Sequence, residues 1–168
     1  CYVEIERWNH TNKQAWLWVK VPNVNSTVDT LLYLYYDKNH ADNTNYVGDP
    51  NSTAAENVWD FNYLVVHHME GDPSGNITDS TRNNSDVISA GGMNSSDVAD
   101  GKIGKGVDFD GIDDHYDSSP NQIIIQRFTF EAWIWIGTNN DGWRTIVSVG
   151  DNSVFRDFCT VGRVLALD

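Results

Sequence analysis

Four aspartates, Asp108, Asp110, Asp113 and Asp114, fall within seven residues around Gly111. Carboxylates this close about a turn can supply the oxygen ligands that calcium takes at about 2.3–2.6 Å. Asp110, Asp113 and Asp114 are the candidate ligands. The spacing is not that of an EF-hand, and Asp-Gly and Asp-Asp pairs are also ordinary turn formers, so calcium binding and plain turn chemistry both stand open. His67 and His68 are neighbours. On a strand they point to opposite faces and cannot hold one ion together, so each reads as a partly buried, satisfied histidine.

Retaining hydrolysis of sugars needs two carboxyls about 5 Å apart, which a strand provides from alternate positions. In the second half of the chain Glu131 lies in a strong strand pattern, but Thr129 and Trp133 flank it two residues away. No acid pair forms there, and no Ser-His-Asp, Cys-His or nucleophile-elbow pattern occurs, so the chain is expected to be non-enzymatic. The spaced glycines at 101, 104 and 106 lack the Gly-Lys-Ser/Thr of a phosphate loop and read as bends. Trp16, Trp18, Trp133 and Trp135 sit at alternate positions, where Trp serves as sheet core or interface. Trp143, in a polar segment, is the candidate exposed platform for stacking a sugar ring.

Asn-x-Ser/Thr acceptors occur at Asn9, Asn25, Asn51, Asn76, Asn83 and Asn94, against roughly two or three expected by chance. Each falls in a segment that reads as a turn or loop. A loop vocabulary rich in Asn, Ser and Thr makes single sequons by accident, but the set points to secretion and N-linked glycans.

With 11 basic residues against 24 acidic ones the net charge is −13. A nucleic-acid partner needs stripes of Lys and Arg that this chain lacks. No run reaches the ~18 apolar residues of a membrane span. Cys1 and Cys159 match no zinc, thioredoxin or haem spacing, and their pairing is undetermined. The 168 residues, 40% hydrophobic with seven Trp, seven Tyr and six Phe in short alternating runs, suit an all-β fold.

Period-two alternation predicts strands over 2–8, with Val3 and Ile5 on one face and Glu4 and Glu6 on the other, and over 15–21, ended by Pro22. Residues 27–36 form the most hydrophobic strand pattern of this half, completing a three-strand antiparallel meander. A polar loop over 37–55 leads to a boundary near residue 58. Strand character resumes over 62–69, residues 71–100 read as loops around at most one short strand, and further strands are expected near 107–110, 128–136, 145–149 and 161–167.

Several motifs are recognisable. The GKIG at 101–104 leading to FDGIDD at 109–114, then FTFEAWIW at 128–135 and TIVSVGDNS at 145–153, resemble the laminin-G-like branch of the concanavalin-A-type lectin and glucanase superfamily. The segments LWVKVP at 17–22, TLLYLYY at 30–36 and VWD at 58–60 resemble a domain of unknown function that precedes such modules in prokaryotic surface proteins. The resemblance implies an antiparallel jelly-roll sandwich over 58–168, lacking its closing strands, after a smaller β meander over 1–57. It also implies a structural calcium near the Asp110 turn.

Two functions follow. The first is a non-enzymatic extracellular or cell-surface structural or adhesive protein, N-glycosylated, whose partners are other copies of itself in a head-to-tail filament or neighbouring surface-protein segments. The second is a carbohydrate-binding module of a secreted glycoside hydrolase.

Overall fold

In a computed structural model the residues described are 1–118, 128–136, 144–151 and 154–161. The chain divides into two compact units, Cys1–Arg127 and Phe128–Asp168. Sheet dominates the described residues and almost no helix is present.

Strands β1 (Val3–Asn9) and β2 (Gln14–Val19) form an antiparallel hairpin. Asn9 shapes its turn by accepting the Asn12 N–H at 3.0 Å, and Lys13 takes a left-handed φ of 52°. The ladder pairs Val3 with Val19 and Ile5 with Leu17, then slips before pairing Arg7 with Trp16. Glu6 is the extra residue at this bulge. A bulge bends the strand and redirects a side chain, and here it turns Glu6 inward.

The face assignment reverses the expected one. Glu4 and Glu6 are buried, whereas Val3 and Ile5 are half-buried. Alternation is preserved; the glutamates occupy the inner face because polar partners await them there.

The third strand of the meander also differs. Residues 27–36 belong to no strand, and their apolar side chains lie exposed, Leu31 at 70%, Tyr33 at 73% and Tyr35 at 88%. The place beside β1 is taken by β3 (Val47–Gly48), which runs parallel to it. A helical turn, α1 (Thr53–Glu56), follows; the Ser52 hydroxyl caps it by accepting the Ala55 N–H at 3.2 Å. Its Ala54 and Ala55 are among the most buried residues, with Val58 and Trp59 beside them in sequence.

Segment 62–69 is not a strand either. Side chains, together with main-chain bonds from Ser80 N to Val66 O and from Tyr63 N to Asp60 O, hold it in place of a ladder. Asp79, fully buried, accepts from Val66 N and Thr81 N at 2.9 Å through one oxygen, and from Thr81 Oγ1 at 2.8 Å and Ser85 N at 2.9 Å through the other. Asn83 Nδ2 donates to Leu64 O at 2.9 Å and Tyr63 O at 3.3 Å. A carboxylate that accepts several N–H groups organises a turn as a ladder organises a strand.

Between 71 and 100 more sheet forms than expected: β4 (Asn76–Ile77), β5 (Val87–Ala90) and β6 (Val98–Asp100), with a 3₁₀ turn at Ser95–Asp97. β5 lies antiparallel between β4 and β8 (His115–Ser118). β6 pairs antiparallel with β7 (Lys105–Val107).

In the second unit β9 (Arg144–Asp151) and β10 (Val154–Val161) form an antiparallel hairpin with register shifts about Cys159. This agrees with the strand expected at 145–149. The expected strand at 128–136 is absent, and that segment lies exposed, with Trp135 at 95%. Most of the segment expected at 161–167 falls outside the described residues.

Candidate functional site

Chemistry-bearing side chains converge behind β1. Glu4 and Glu6, two apart, project to the same side. His68 inserts its ring between them, with Nε2 3.2 Å from Glu4 Oε2 and Nδ1 3.5 Å from Glu6 Oε2. Side-chain exposure is 0% for Glu4, 2% for Glu6 and 7% for His68, so water hardly reaches the group. Each carboxylate also takes an indole N–H: Trp59 Nε1 donates to Glu4 Oε2 at 2.6 Å, and Trp18 Nε1 to Glu6 Oε2 at 2.5 Å.

The same aromatics wall the site. The Trp18 ring stacks on His68 at 5.5 Å between centroids and meets Trp59 at 5.2 Å; Trp59 meets Tyr63 edge-on at 5.1 Å. Glu70 extends the network, accepting the main-chain N–H of Lys105 at 2.8 Å and lying 3.8 Å from Arg7. Gly104 closes it. A side chain there would collide with the carboxylates of Glu70 and Glu6, and its φ of +55° also favours glycine.

The electrostatics are demanding. Burial pushes the Glu6 carboxyl above its ordinary value, against the Trp18 hydrogen bond and the His68 ring; Glu70 and Glu4 push the same way as burial. Glu4 Oε1 and His68 Nε2 are buried without a hydrogen-bonding partner among the described residues. The 3.2 Å approach of His68 Nε2 to Glu4 is close enough for attraction but not aligned for a hydrogen bond. The two ring nitrogens face different carboxylates. At 3.5 Å the approach of Nδ1 to Glu6 is, like that of Nε2 to Glu4, a close contact and not a hydrogen bond.

A cleft of about 240 Å³ is lined by Glu6, Ala15, Trp16, Leu17, Trp18 and Ile103. The Arg7 guanidinium lies 5.6 Å over the Trp16 ring.

The expected calcium ligands do come together. One carboxylate oxygen from each of Asp110, Asp113 and Asp114 lies within 4.8 Å of the others. These oxygens also serve the turn itself: Asp110 Oδ1 accepts Ile112 N at 2.7 Å and Asp113 N at 3.3 Å, and Asp114 Oδ2 accepts Asp110 N at 2.9 Å. The bond from Ile112 N leads in holding the Asp110 carboxyl below its ordinary value. Of the sequon residues, Asn25, Asn51, Asn76, Asn83 and Asn94 are exposed and Asn9 is half-buried. Trp143 lies outside the described residues. His67, as expected, is satisfied separately, its Nε2 3.0 Å from Ser85 O.

Sequence reasoning missed the Glu4–His68–Glu6 cluster. The available signal was a pair of acids at alternate strand positions, close in sequence to Trp8, Trp16 and Trp18. That signal is weak by itself, because acids at alternate strand positions ordinarily face solvent and the partner histidine lies more than 60 residues away.

No helix among the described residues is long and apolar enough to cross a membrane. Neither the curated proteins nor the solved structures include a match to this chain. A family model does match part of it, and the matched part supplies Glu4, Glu6, Trp18 and Trp59, while His68, Glu70 and Gly104 come from beyond it: residues 2–67 contain a Domain of unknown function (DUF2341).

Proposed function

We propose that this chain belongs to a non-enzymatic structural or adhesive protein of the cell surface. Residues 58–168 are, in this reading, a laminin-G-like, concanavalin-A-type sandwich that follows a small β domain. N-linked glycans cover it, and other copies or neighbouring segments add strands to it.

The observation that carries this reading is the exposure of residues 31–36. Six consecutive large hydrophobics, from Leu31 at 70% to Tyr36 at 81%, face solvent in a segment whose composition favours a strand. An exposed apolar strand-type segment is a template for pairing with another chain. The exposed sequon residues suit a glycan-coated surface. The non-enzymatic reading is supported by the burial of Glu4, which leaves Glu6 alone at the edge of the Trp16 cleft and so no pair of acids open to a saccharide. Calcium at Asp110, Asp113 and Asp114 is part of the proposal, supported by their converging oxygens. A fall in melting temperature on chelation is expected, and an unchanged melt removes that part.

The test is electron microscopy and sedimentation of the purified chain. Concentration-dependent assemblies are expected, lost in the double variant Tyr33→Ser, Tyr35→Ser. A monomer at every concentration, with unmodified asparagines in native material, overturns the proposal.

The Trp-walled cleft beside Glu6 favours a second reading, a carbohydrate-binding module. Glycan-array binding lost on Trp16→Ala is its expected signature, and a featureless array excludes it.

A further inference from the structure

Glu4, Glu6 and His68 pose a charge problem. A buried carboxylate must be paired or must take up a proton. One imidazolium can compensate one carboxylate, and here two share the ring. Charged and aromatic groups of the described residues surround them. Arg7 on β1 lies against Glu70, and Lys105 Nζ bonds Asp100. Trp18 on β2 and Trp59 give one N–H each. Tyr63 packs against Trp59, and Glu70, beside Glu6 at Gly104, adds further negative charge. His67, next in the chain, turns to Ser85 O. Neither Arg7 nor Lys105 is left to balance the second carboxylate.

We propose that Glu4, His68 and Glu6 form a proton-held latch, in which a proton retained within this enclosed group fastens β1 to the segment around Trp59 and His68, and its release to solvent loosens that joint. The geometry supplies both halves of the device: the acids sit on a hairpin, and the bridging ring sits on a segment with no ladder of its own. Loss of the proton leaves two enclosed carboxylates on one side of the joint and a single ring on the other.

The direction of the response follows from burial of Glu6, which holds its carboxyl above the ordinary value of 4.5. A group raised on folding contributes stability that is full below the unfolded value and is lost as pH rises through the folded one. His67 works the other way. Burial lowers it from 6.5, so its contribution is present above that value and is lost as pH falls. A wild-type melt alone mixes the two, whereas comparison with Glu6→Gln isolates the latch. Gln keeps the shape of a protonated Glu6 and cannot ionise.

The experiment is thermal melting of the full chain and of Glu6→Gln from about pH 4 to about pH 8, with Trp emission followed in parallel. The two proteins are expected to converge toward the acid end and to separate as pH rises, wild type falling below the variant by about 3 °C or more. Emission from Trp18 and Trp59 changes over the same interval in wild type and not in the variant. A separation independent of pH overturns the proposal, as does a variant with the wild-type emission profile. If Glu6→Gln does not fold, NMR of the Glu6 carboxyl carbon in the wild-type chain decides. Titration above the ordinary glutamate range, with Trp emission changing alongside, sustains the latch; titration at or below that range sinks it.

Discussion

Two strand-like sequences near the start of the chain meet opposite fates. Val3–Asn9 carries a glutamate at every other early position and becomes the best-paired strand of its unit, with the glutamates innermost. Residues 27–36 are richer in Leu and Tyr, yet they form no strand and hold their side chains in solvent. Hydropathy ranks the two in the reverse order. What separates them is the supply of partners. β1 has β2 on one edge, β3 on the other, and His68, Trp18 and Trp59 behind it, whereas the apolar run's one ring contact among the described residues, Tyr33 with Tyr35 at 6.5 Å, lies within itself. A strand is a pairing, and composition proposes it without completing it.

The comparison can be broken most forcefully at His68. His68→Ala leaves both carboxylates enclosed without their bridge, and a loss of about 3–5 kcal/mol in denaturant unfolding is expected. A near-neutral result would show that β1 does not depend on its buried acids. Trp59→Phe sharpens the point. It keeps a ring against Tyr63 and Trp18 but withdraws the N–H from Glu4, with an expected cost of about 1–3 kcal/mol by the same measurement. The smallest effect belongs to the other region. Tyr33→Ser with Tyr35→Ser is expected to shift unfolding of the dilute monomer by no more than about 0.5 kcal/mol, while abolishing any assembly. A large loss in the dilute monomer would mean that the run is folded against something within its own chain.

The sequence disclosed more of the local structure than of the site. The β1–β2 hairpin was legible because alternation and a polar turn are local signals, and the Asp110 turn was legible because its carboxylates are near neighbours. Strands β4, β5 and β6 were not, since two to four residues carry no periodicity and exist through their pairing. Segment 62–69 misled for a related reason. Its residues look like a strand, but Asp79 and Asn83, more than a dozen positions on, supply its hydrogen bonds. The buried cluster was least legible of all. A glutamate at an alternate position reads as solvated until a distant histidine and two indoles are known to lie over it.

Asn83 links folding to modification. In the folded chain its carboxamide nitrogen is spent on two main-chain carbonyls, Tyr63 O and Leu64 O. A transferase must attack through that same nitrogen, so the folded chain shields this acceptor although its residue is solvent-facing. A sugar on that nitrogen would replace one of its two hydrogens, and with it one of the two bonds by which Asn83 ties the 79–86 loop to segment 62–69.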